Sequence, residues 1–281
     1  AQHPFLNLVF PETNADMIQS MLAHYDQSVH HMLPVWSHYA NENWCMIGYH
    51  SVSVLADAMV KGNRGFDYSR ALNAAVTTSN QRFYEGLGAY MEYKYVPEDK
   101  SGNSVSKTLE YAYDDWCIAQ MAMHLNSDSI FSMYQKRSEY YQNQFDPVIG
   151  FMRPRLSNGS FKKEFDVLST HGQGFIEGNA CNYSLYVPQN PKKLISMMGG
   201  EKRFIEHLDS LFSMELPDRY FAETEDIMRD GIIGNYVHGN EPSHHVPYLY
   251  NFTNQPWKTQ ATTRMILPMQ YKAKPDGLGG N

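Results

Sequence analysis

The chain has 281 residues, of which 42% are hydrophobic and 14% aromatic, and its formal net charge is -7. This hydrophobic fraction supports a sizeable core and excludes a disordered chain. The acidic balance and the absence of a basic stripe argue against nucleic acid as a partner. No apolar run approaches the roughly 18 residues of a membrane span.

Apolar residues recur at helical spacing through most of the chain, which predicts a series of helices. In chain order, the predicted helices cover 14–25, 50–61, 69–79, 103–125, 127–145, 192–198, 201–214, 243–251 and 256–269. Short extended segments are predicted near 151–154 and 185–188. Ser104, Ser127 and Ser243 are predicted as N-caps, because a serine hydroxyl accepts a hydrogen bond from the first helical turn.

Long loops rich in glycine and asparagine alternate with short loops between these helices. Paired antiparallel helices with elaborate loops at one end predict an all-α fold, a toroid of helical hairpins. No internal repeat and no shift in composition marks a boundary, so a single domain over 1–281 is expected.

Three cysteines, Cys45, Cys117 and Cys181, lie far apart in the sequence. Their spacing matches no metal-binding motif, and we interpret them as buried free thiols.

Two polar segments, 174–183 and 239–251, combine carboxylates, amides, imidazoles and phenols, and a third begins at 275–281. This mixture suits a site for a polyhydroxylated ligand, with one carboxyl left for proton transfer. The high tyrosine content is also typical of carbohydrate clefts, where aromatic rings serve as stacking surfaces.

Glu177 lies between an apolar pair, Phe175 and Ile176, and Gly178. Apolar surroundings raise the pKa of a carboxyl and suit a general acid. The alternative is a glutamate at a helix start, near the positive end of the helix dipole.

Asn240 and Glu241 supply hard oxygen atoms of the kind that Ca²⁺ prefers. They could equally grip sugar hydroxyls or simply order a turn. The adjacent His244 and His245 are expected to diverge, one facing a cleft and one facing a neighbouring helix. Of Asp114 and Asp115, one is expected to cap a helix or form a bridge.

Two long motifs stand out among these segments. They are Asn240-Glu241-Pro242-Ser243-His244-His245 and Ser104-Val105-Ser106-Lys107-Thr108-Leu109-Glu110-Tyr111-Ala112. With 43–48, 61–67, 177–179, 255–257 and 275–278, they resemble the glycoside hydrolase family 92 exo-α-mannosidases. The resemblance extends from the first residue to the last.

The resemblance implies a catalytic (α/α)6 toroid, incomplete at both ends, without the family's N-terminal β-sandwich domain and C-terminal general-base segment. It implies Ca²⁺-dependent, inverting hydrolysis of α-1,2- or α-1,3-linked terminal mannose. Glu177 matches the general acid. The implied substrate-binding residues are Asn179, Asn240, Glu241, His244 and His245, with Glu241 also a calcium ligand.

The expected partner is a mannose-containing oligosaccharide or a glycoprotein N-glycan, beside the N-terminal domain of the family. The expected source is bacterial, with a secreted, periplasmic or cell-surface location. The chain by itself is expected to be inactive, because the general base would follow Gly280 and Asn281.

Several positions depart from the family pattern: Tyr49, Cys181-Asn182 and Gln189-Asn190. These differences motivate two alternatives, a non-catalytic carbohydrate-binding domain on the same scaffold and an α/α-toroid hydrolase that acts on another sugar.

Overall fold

A computed structural model describes residues 2–222 and 229–279. The chain divides into two compact units. Unit 1 comprises Ala1–Val96 and Lys107–Asn143, and unit 2 comprises Pro97–Ser106 and Gln144–Asn281.

Most of the described residues are helical. The α-helices are α1 Gln2–Val9, α2 Pro11–Gln27, α3 Ser51–Val60, α4 Tyr68–Thr78, α5 Leu87–Tyr93, α6 Ser104–His124, α7 Asp128–Arg137, α8 Ala180–Tyr183, α9 Pro191–Met197, α10 Glu201–Ser213, α11 Asp218–Ala222 and α12 Trp257–Gln270. Short 3₁₀ helices cover Tyr140–Gln144, Arg229–Gly231, Glu241–Ser243 and Val246–Phe252.

Strand structure is limited to three two-residue antiparallel pairs within the described ranges. The strands are β1 Ser37–His38 with β2 Asn41–Glu42, β3 Phe145–Asp146 with β4 Phe151–Met152, and β5 Ile232–Ile233 with β6 Tyr236–Val237. The predicted all-α class is therefore confirmed.

Unit 1 packs α1 to α4 against one another around an apolar core. Pro11 occupies the first turn of α2, where its missing N–H costs nothing, and Glu12 complements the helix dipole there. The apolar stripe of α2 is completely buried at Ile18 and Leu22. The predicted periodicity thus marks the face that packs into the core.

Both adjacent acids of α6 are buried and paired within unit 1. Asp115 accepts hydrogen bonds from the hydroxyls of Tyr49 (2.7 Å) and Tyr90 (2.9 Å) and from Nε of Arg137 (2.9 Å). Asp114 accepts from the backbone N–H of Tyr49 at 2.8 Å. The expected bridging role therefore applies to both aspartates.

Unit 2 contains the polar segments. Helix α12 packs on the 3₁₀ helix Val246–Phe252, which also contacts α9, and α10 contacts α9. The apolar face of α10 is buried at Phe204, Leu208 and Leu211. The short helix α8, which follows Glu177, contacts the 3₁₀ helix Glu241–Ser243, which follows Asn240.

Several sequence predictions need correction. The helix predicted over 127–145 ends at Arg137, because Phe145 pairs with Met152 in the β3–β4 hairpin. Residues 243–251 form 3₁₀ turns, because Pro247 lies inside this span and lacks the N–H that a continuous α-helix needs. Residues 185–188 form turns, with hydrogen bonds that close on Tyr183 and Leu185.

The predicted serine caps are also only partly right. Helix α6 begins at Ser104 itself, and His245 rather than Ser243 precedes the 3₁₀ helix Val246–Phe252. Ser127 does precede α7, although its side chain forms no capping hydrogen bond. Cys117 and Cys181 are buried free thiols, whereas Cys45 is exposed.

Of the helices that the structure describes, none combines the length and apolar character that a bilayer crossing requires. The two units are defined by the contacts within each of them, whereas a domain is defined by independent folding. The single domain over 1–281 therefore stays a prediction.

Candidate functional site

The loop that carries Glu177 is fixed to residues 97–106 within unit 2. The carbonyl of Gly174 accepts hydrogen bonds from the N–H groups of Val105 (2.9 Å) and Ser106 (3.2 Å). The N–H of Ile176 donates to the Ser106 hydroxyl at 3.2 Å. Gly174 has φ +83°, and a Cβ there would lie 2.6 Å from Cγ of Pro154. Glycine is thus required for this loop to pack.

Glu177 itself is half-buried and lies in the left-handed region, with φ 54°. A non-glycine residue in this region costs roughly 1–3 kcal/mol, so the surrounding contacts must hold it there. This backbone conformation fixes the direction in which the carboxyl leaves the loop.

The two polar segments meet at the Glu177 carboxyl. Nδ2 of Asn240 donates to Oε2 of Glu177 at 2.5 Å, across 63 positions of sequence. Asn240 is only 1% exposed. A buried amide therefore contacts the carboxyl of the predicted general acid.

Asn179 is committed to a hydrogen-bond network beneath this loop. Its Oδ1 caps α8 by accepting from the N–H groups of Cys181 and Asn182, and the Asn182 side chain accepts from the Asn179 N–H. Asn235 exchanges side-chain hydrogen bonds with Asn179 at 2.9 and 3.3 Å. The structure thus gives Asn179 a structural role, and its predicted contact with substrate stays a prediction.

A small cavity lies beside these three asparagines, and Gly178 and Tyr220 also line it. Its volume is about 20 Å³, which is room for one water molecule and too small for a sugar. A polyhydroxylated ligand would therefore have to approach Glu177 from its exposed side.

The two histidines diverge, as the sequence predicts. Nε2 of His244 contacts the carbonyl of His238 at 3.0 Å, and Nε2 of His245 contacts that of Leu185 at 2.8 Å. Both rings are half-buried. Their predicted role in substrate binding stays a prediction.

His238 was not singled out from the sequence. Its ring nitrogens contact the hydroxyls of Tyr236 (2.9 Å) and Tyr271 (2.7 Å), and its ring centroid lies 5.5 Å from that of His244. Partial burial and the positive charge that His244 can carry both lower the pKa of His238. The ring therefore favours its neutral form. In the sequence, the one signal that could have singled out His238 is its position two residues before Asn240.

The predicted calcium ligand, Glu241, lies at the start of a 3₁₀ turn and is exposed. Its carboxylate makes no hydrogen bond or ion pair to other described residues. The described ranges contain no group of three or more His, Cys, Asp or Glu side chains that could hold a metal ion. Since Ca²⁺ takes six to eight oxygen ligands, Glu241 can contribute to a calcium site but does not form one.

Comparison with known proteins identifies the family of this chain. A family model described as the glycosyl hydrolase family 92 catalytic domain matches residues 1–281. The chain belongs to glycosyl hydrolase family 92. This confirms the resemblance that the sequence motifs indicate.

Two family 92 structures from Bacteroides thetaiotaomicron match the chain over its full length. A family GH92 alpha-mannosidase shares 49% identity with a TM-score of 0.93, and the match covers 37% of that protein. A family GH92 inverting mannosidase shares 33% identity with a TM-score of 0.88, and the match covers 39% of that protein.

A curated relative is an uncharacterized secreted glycosidase of Arthroderma benhamiae. It is 24% identical over 266 residues, which cover 81% of this chain and 32% of the relative. The chain thus spans 32% to 39% of the length of these relatives.

Proposed function

We propose that the full-length protein is an inverting exo-α-mannosidase and that Glu177 is its general acid. The observation that carries the proposal is the hydrogen bond from buried Asn240 to the half-buried Glu177 carboxyl. A general acid must point at the leaving oxygen, and a fixed partner supplies that orientation. Membership of family 92 and the alpha-mannosidases among the structural relatives support mannose as the sugar.

Inversion requires a second carboxyl that activates a water on the opposite face of the sugar. In inverting glycosidases, the two carboxyls lie roughly 6.5–9.5 Å apart. A relative at 33% identity is named an inverting mannosidase, which supports this stereochemistry. We expect the general base to lie outside residues 2–279, and α-1,2- or α-1,3-linked terminal mannose of glycans to be the substrate.

Calcium belongs to the same proposal. Glu241 would supply one carboxylate to the ion, and the remaining ligands would come from water, sugar hydroxyls and other parts of the full-length protein. A bound divalent cation would hold sugar hydroxyls and supply positive charge beside the reacting ring. We expect a chelator to abolish mannose release and added Ca²⁺ to restore it.

The location of the protein is also a proposal. The family and the secreted glycosidase of Arthroderma benhamiae support an extracellular or cell-surface site, where glycans are accessible.

The decisive experiment is mannose release from α-1,2-, α-1,3- and α-1,6-mannobiose by the full-length protein. We expect Glu177→Gln to lower kcat by about 10³-fold, because the amide cannot donate the proton that a general acid supplies. Glu164→Gln is the matched control, since Glu164 is an exposed glutamate of the same unit. Nuclear magnetic resonance of the first-formed anomer would then report inversion directly.

Equal activity of both variants would refute the role of Glu177. Failure of the unsubstituted protein to release mannose, with sugar binding retained, would favour the alternative of a carbohydrate-binding domain. Release of a different sugar would favour another hydrolase of the toroid type.

A further inference from the structure

An exposed cluster of aromatic rings lies in unit 1, which does not contain Glu177. The ring centroid of His30 lies 5.3 Å from that of Trp44 and 5.1 Å from that of Phe83. The Trp44 ring lies 5.7 Å from Phe83 and 5.5 Å from Tyr84. Trp44 is 37% exposed and Phe83 58%. We name these four residues the Trp44 platform.

A buried carboxylate organises the loop that carries Trp44. Glu42 is 6% exposed, and its two oxygens accept backbone hydrogen bonds from Val35 (2.6 Å), Trp36 (3.2 Å), Asn43 (3.0 Å) and Trp44 (3.2 Å). Four donors on one carboxylate satisfy it and tie both sides of the loop together. The platform is therefore a built surface rather than a loose loop.

Tyr84 is the buried member of the platform and anchors it to the chain. Its buried hydroxyl lies 2.9 Å from both the Met46 and Gly48 carbonyls, so it can bond to one or share its proton between them. Trp44 has φ 62°, in the left-handed region, which costs roughly 1–3 kcal/mol for a side chain of this size. The contacts of Glu42 and Tyr84 offset that cost and hold the indole ring outward.

Charged groups beside the platform are paired within unit 1. The half-buried Glu85 bonds through Oε2 to the buried Lys107 ammonium at 2.7 Å, and Arg82 lies 3.9 Å from Glu92. A ligand that stacked on these rings would therefore meet little unbalanced charge. This favours a neutral ligand over a phosphorylated or nucleic-acid one.

Two of the rings carry hydrogen-bonding groups of their own. Within the described residues, neither the indole N–H of Trp44 nor the imidazole of His30 forms a hydrogen bond. Aromatic faces next to such donors and acceptors match a ring that has one apolar C–H face and polar hydroxyls at its edge.

We propose that the Trp44 platform is a carbohydrate-binding site of unit 1, in which a pyranose ring of an oligosaccharide stacks on the exposed part of the Trp44 indole. The Phe83 ring, which is inclined at 71° to the indole, flanks the sugar. His30 and the indole N–H bind hydroxyls at the ring edge. The choice of a mannose-containing ligand rests on the proposed function, whereas the stacking geometry does not.

The test uses the full-length protein with fluorinated tryptophan and fluorine magnetic resonance. Trp44→Phe identifies the Trp44 signal by removing it, and Trp257→Phe does the same for an exposed indole of unit 2. We expect α-1,2- or α-1,3-mannobiose to shift the Trp44 signal and to leave the Trp257 signal in place. The same titration is repeated with Glu177→Gln, which prevents hydrolysis.

Calorimetry supplies the magnitude. Trp44→Ala is expected to weaken binding at one site about fivefold, because ring stacking contributes about 1 kcal/mol beyond area burial. Trp257→Ala is the control and should bind like the unsubstituted protein. Thermal melting of each variant shows that it is folded.

The outcomes separate this site from the proposed catalysis. If mannose is released but mannobiose does not shift the fluorine signal of Trp44, sugar binding at the platform is refuted and the proposed function stands. A shift without mannose release supports the platform and refutes the enzyme. A Trp44 signal that moves only with protein concentration would show contact with another copy of the protein, and this also overturns the sugar site.

Discussion

At the scale of single residues, the imidazole of His50 is paired with two acids of unit 1. Its Nδ1 lies 3.0 Å from Asp114 and its Nε2 3.1 Å from Glu110, and both of these acids belong to α6. Burial by itself would lower the pKa of His50, but the charges and hydrogen bonds of Asp114 and Glu110 outweigh it and raise the pKa well above its usual value. The imidazolium thus ties the start of α3 to α6.

This arrangement predicts a pH-dependent contribution to stability. Since the pKa of His50 is raised in the folded state, its contribution is complete below the unfolded pKa of about 6.5 and is lost as pH rises through the folded value. We expect His50→Gln to lower the free energy of unfolding by about 2 kcal/mol at pH 6 and by less at pH 10. Urea unfolding at both values measures the difference.

Asp114 acts in the same direction, because burial raises its pKa in the folded state and its ionisation at higher pH therefore also lowers stability. Asp114 is present in both the unsubstituted protein and His50→Gln, so comparing the two at each pH removes most of the effect of its ionisation. A difference that stays constant from pH 6 to pH 10 would contradict the ion-pair interpretation.

The absence of a side chain at Gly48 leaves space for the His50 ring. We therefore expect Gly48→Ala to lower the free energy of unfolding by more than is usual for this substitution. Gly48 and Gly62 share φ +79°, but only at Gly48 would a Cβ meet other atoms, with Cε1 of His50 at 2.6 Å. We expect Gly62→Ala to cost about 1 kcal/mol from the left-handed backbone alone. Gly48→Ala should cost about 2 kcal/mol more, because it displaces a doubly paired imidazole.

Denaturant unfolding of the two alanine variants checks this difference, with Gly62→Ala as the matched control. Equal losses would mean that the His50 ring moves aside freely.

At the scale of elements, α8 depends on its caps because it has only four residues, Ala180–Tyr183. Asn179 and Asn182 form a reciprocal capping box, and Nδ2 of Asn182 also donates to the Asn235 carbonyl at 3.3 Å. So short a helix has little internal stability. Asn182, one of the departures from the family pattern, therefore has a structural explanation in this chain.

We expect Asn182→Ala to lower the free energy of unfolding by about 2 kcal/mol, because it removes one half of the box and leaves buried backbone groups without partners. Asn190→Ala is the control, since the exposed Asn190 makes a single capping bond to Lys193 N–H at 3.1 Å. It should cost about 1 kcal/mol. Thermal unfolding compares them, and a larger loss for Asn190→Ala would disprove the assigned role of Asn182.

The positions of the helices are the feature that the sequence predicts best. The starts and ends of α2, α3, α4, α9, α10 and α12 lie within a few residues of their predictions, because an apolar stripe marks the buried face of a helix. The prediction failed where a local pattern met a long-range partner, as at Phe145, or where proline interrupts the hydrogen bonds, as at Pro247. The spacing of apolar residues in one sequence reports neither a distant strand partner nor a missing backbone N–H.

At the scale of the whole molecule, several apolar side chains of the chain are exposed. In and beside α1, Phe5 is 56% exposed, Leu8 76% and Phe10 54%. Exposed apolar patches usually mark surfaces that contact another partner. The chain covers only 37% and 39% of the two structural relatives from Bacteroides thetaiotaomicron.

We therefore expect the 281-residue chain by itself to bind an apolar fluorescent dye and to release no mannose, in contrast to the full-length protein. Replacing Leu8 with lysine should reduce dye binding by the short chain without lowering its melting temperature, because Leu8 is largely outside the core. Dye fluorescence and the mannobiose assay measure both properties. Mannose release by the short chain would show that this segment already contains the whole catalytic site.

The amino-acid sequence was enough to establish the helical class, the family and the two polar segments, because these features depend on local periodicity and on contiguous motifs. It could not show that Asn240 meets Glu177 across 63 positions, or that Asn235 completes the network of Asn179. Those contacts form only when distant loops are brought together by packing of the helices that carry them. The paired acids of α6 illustrate the same limit: Asp114 and Asp115 are adjacent in sequence, and folding alone assigns one to His50 and the other to Arg137.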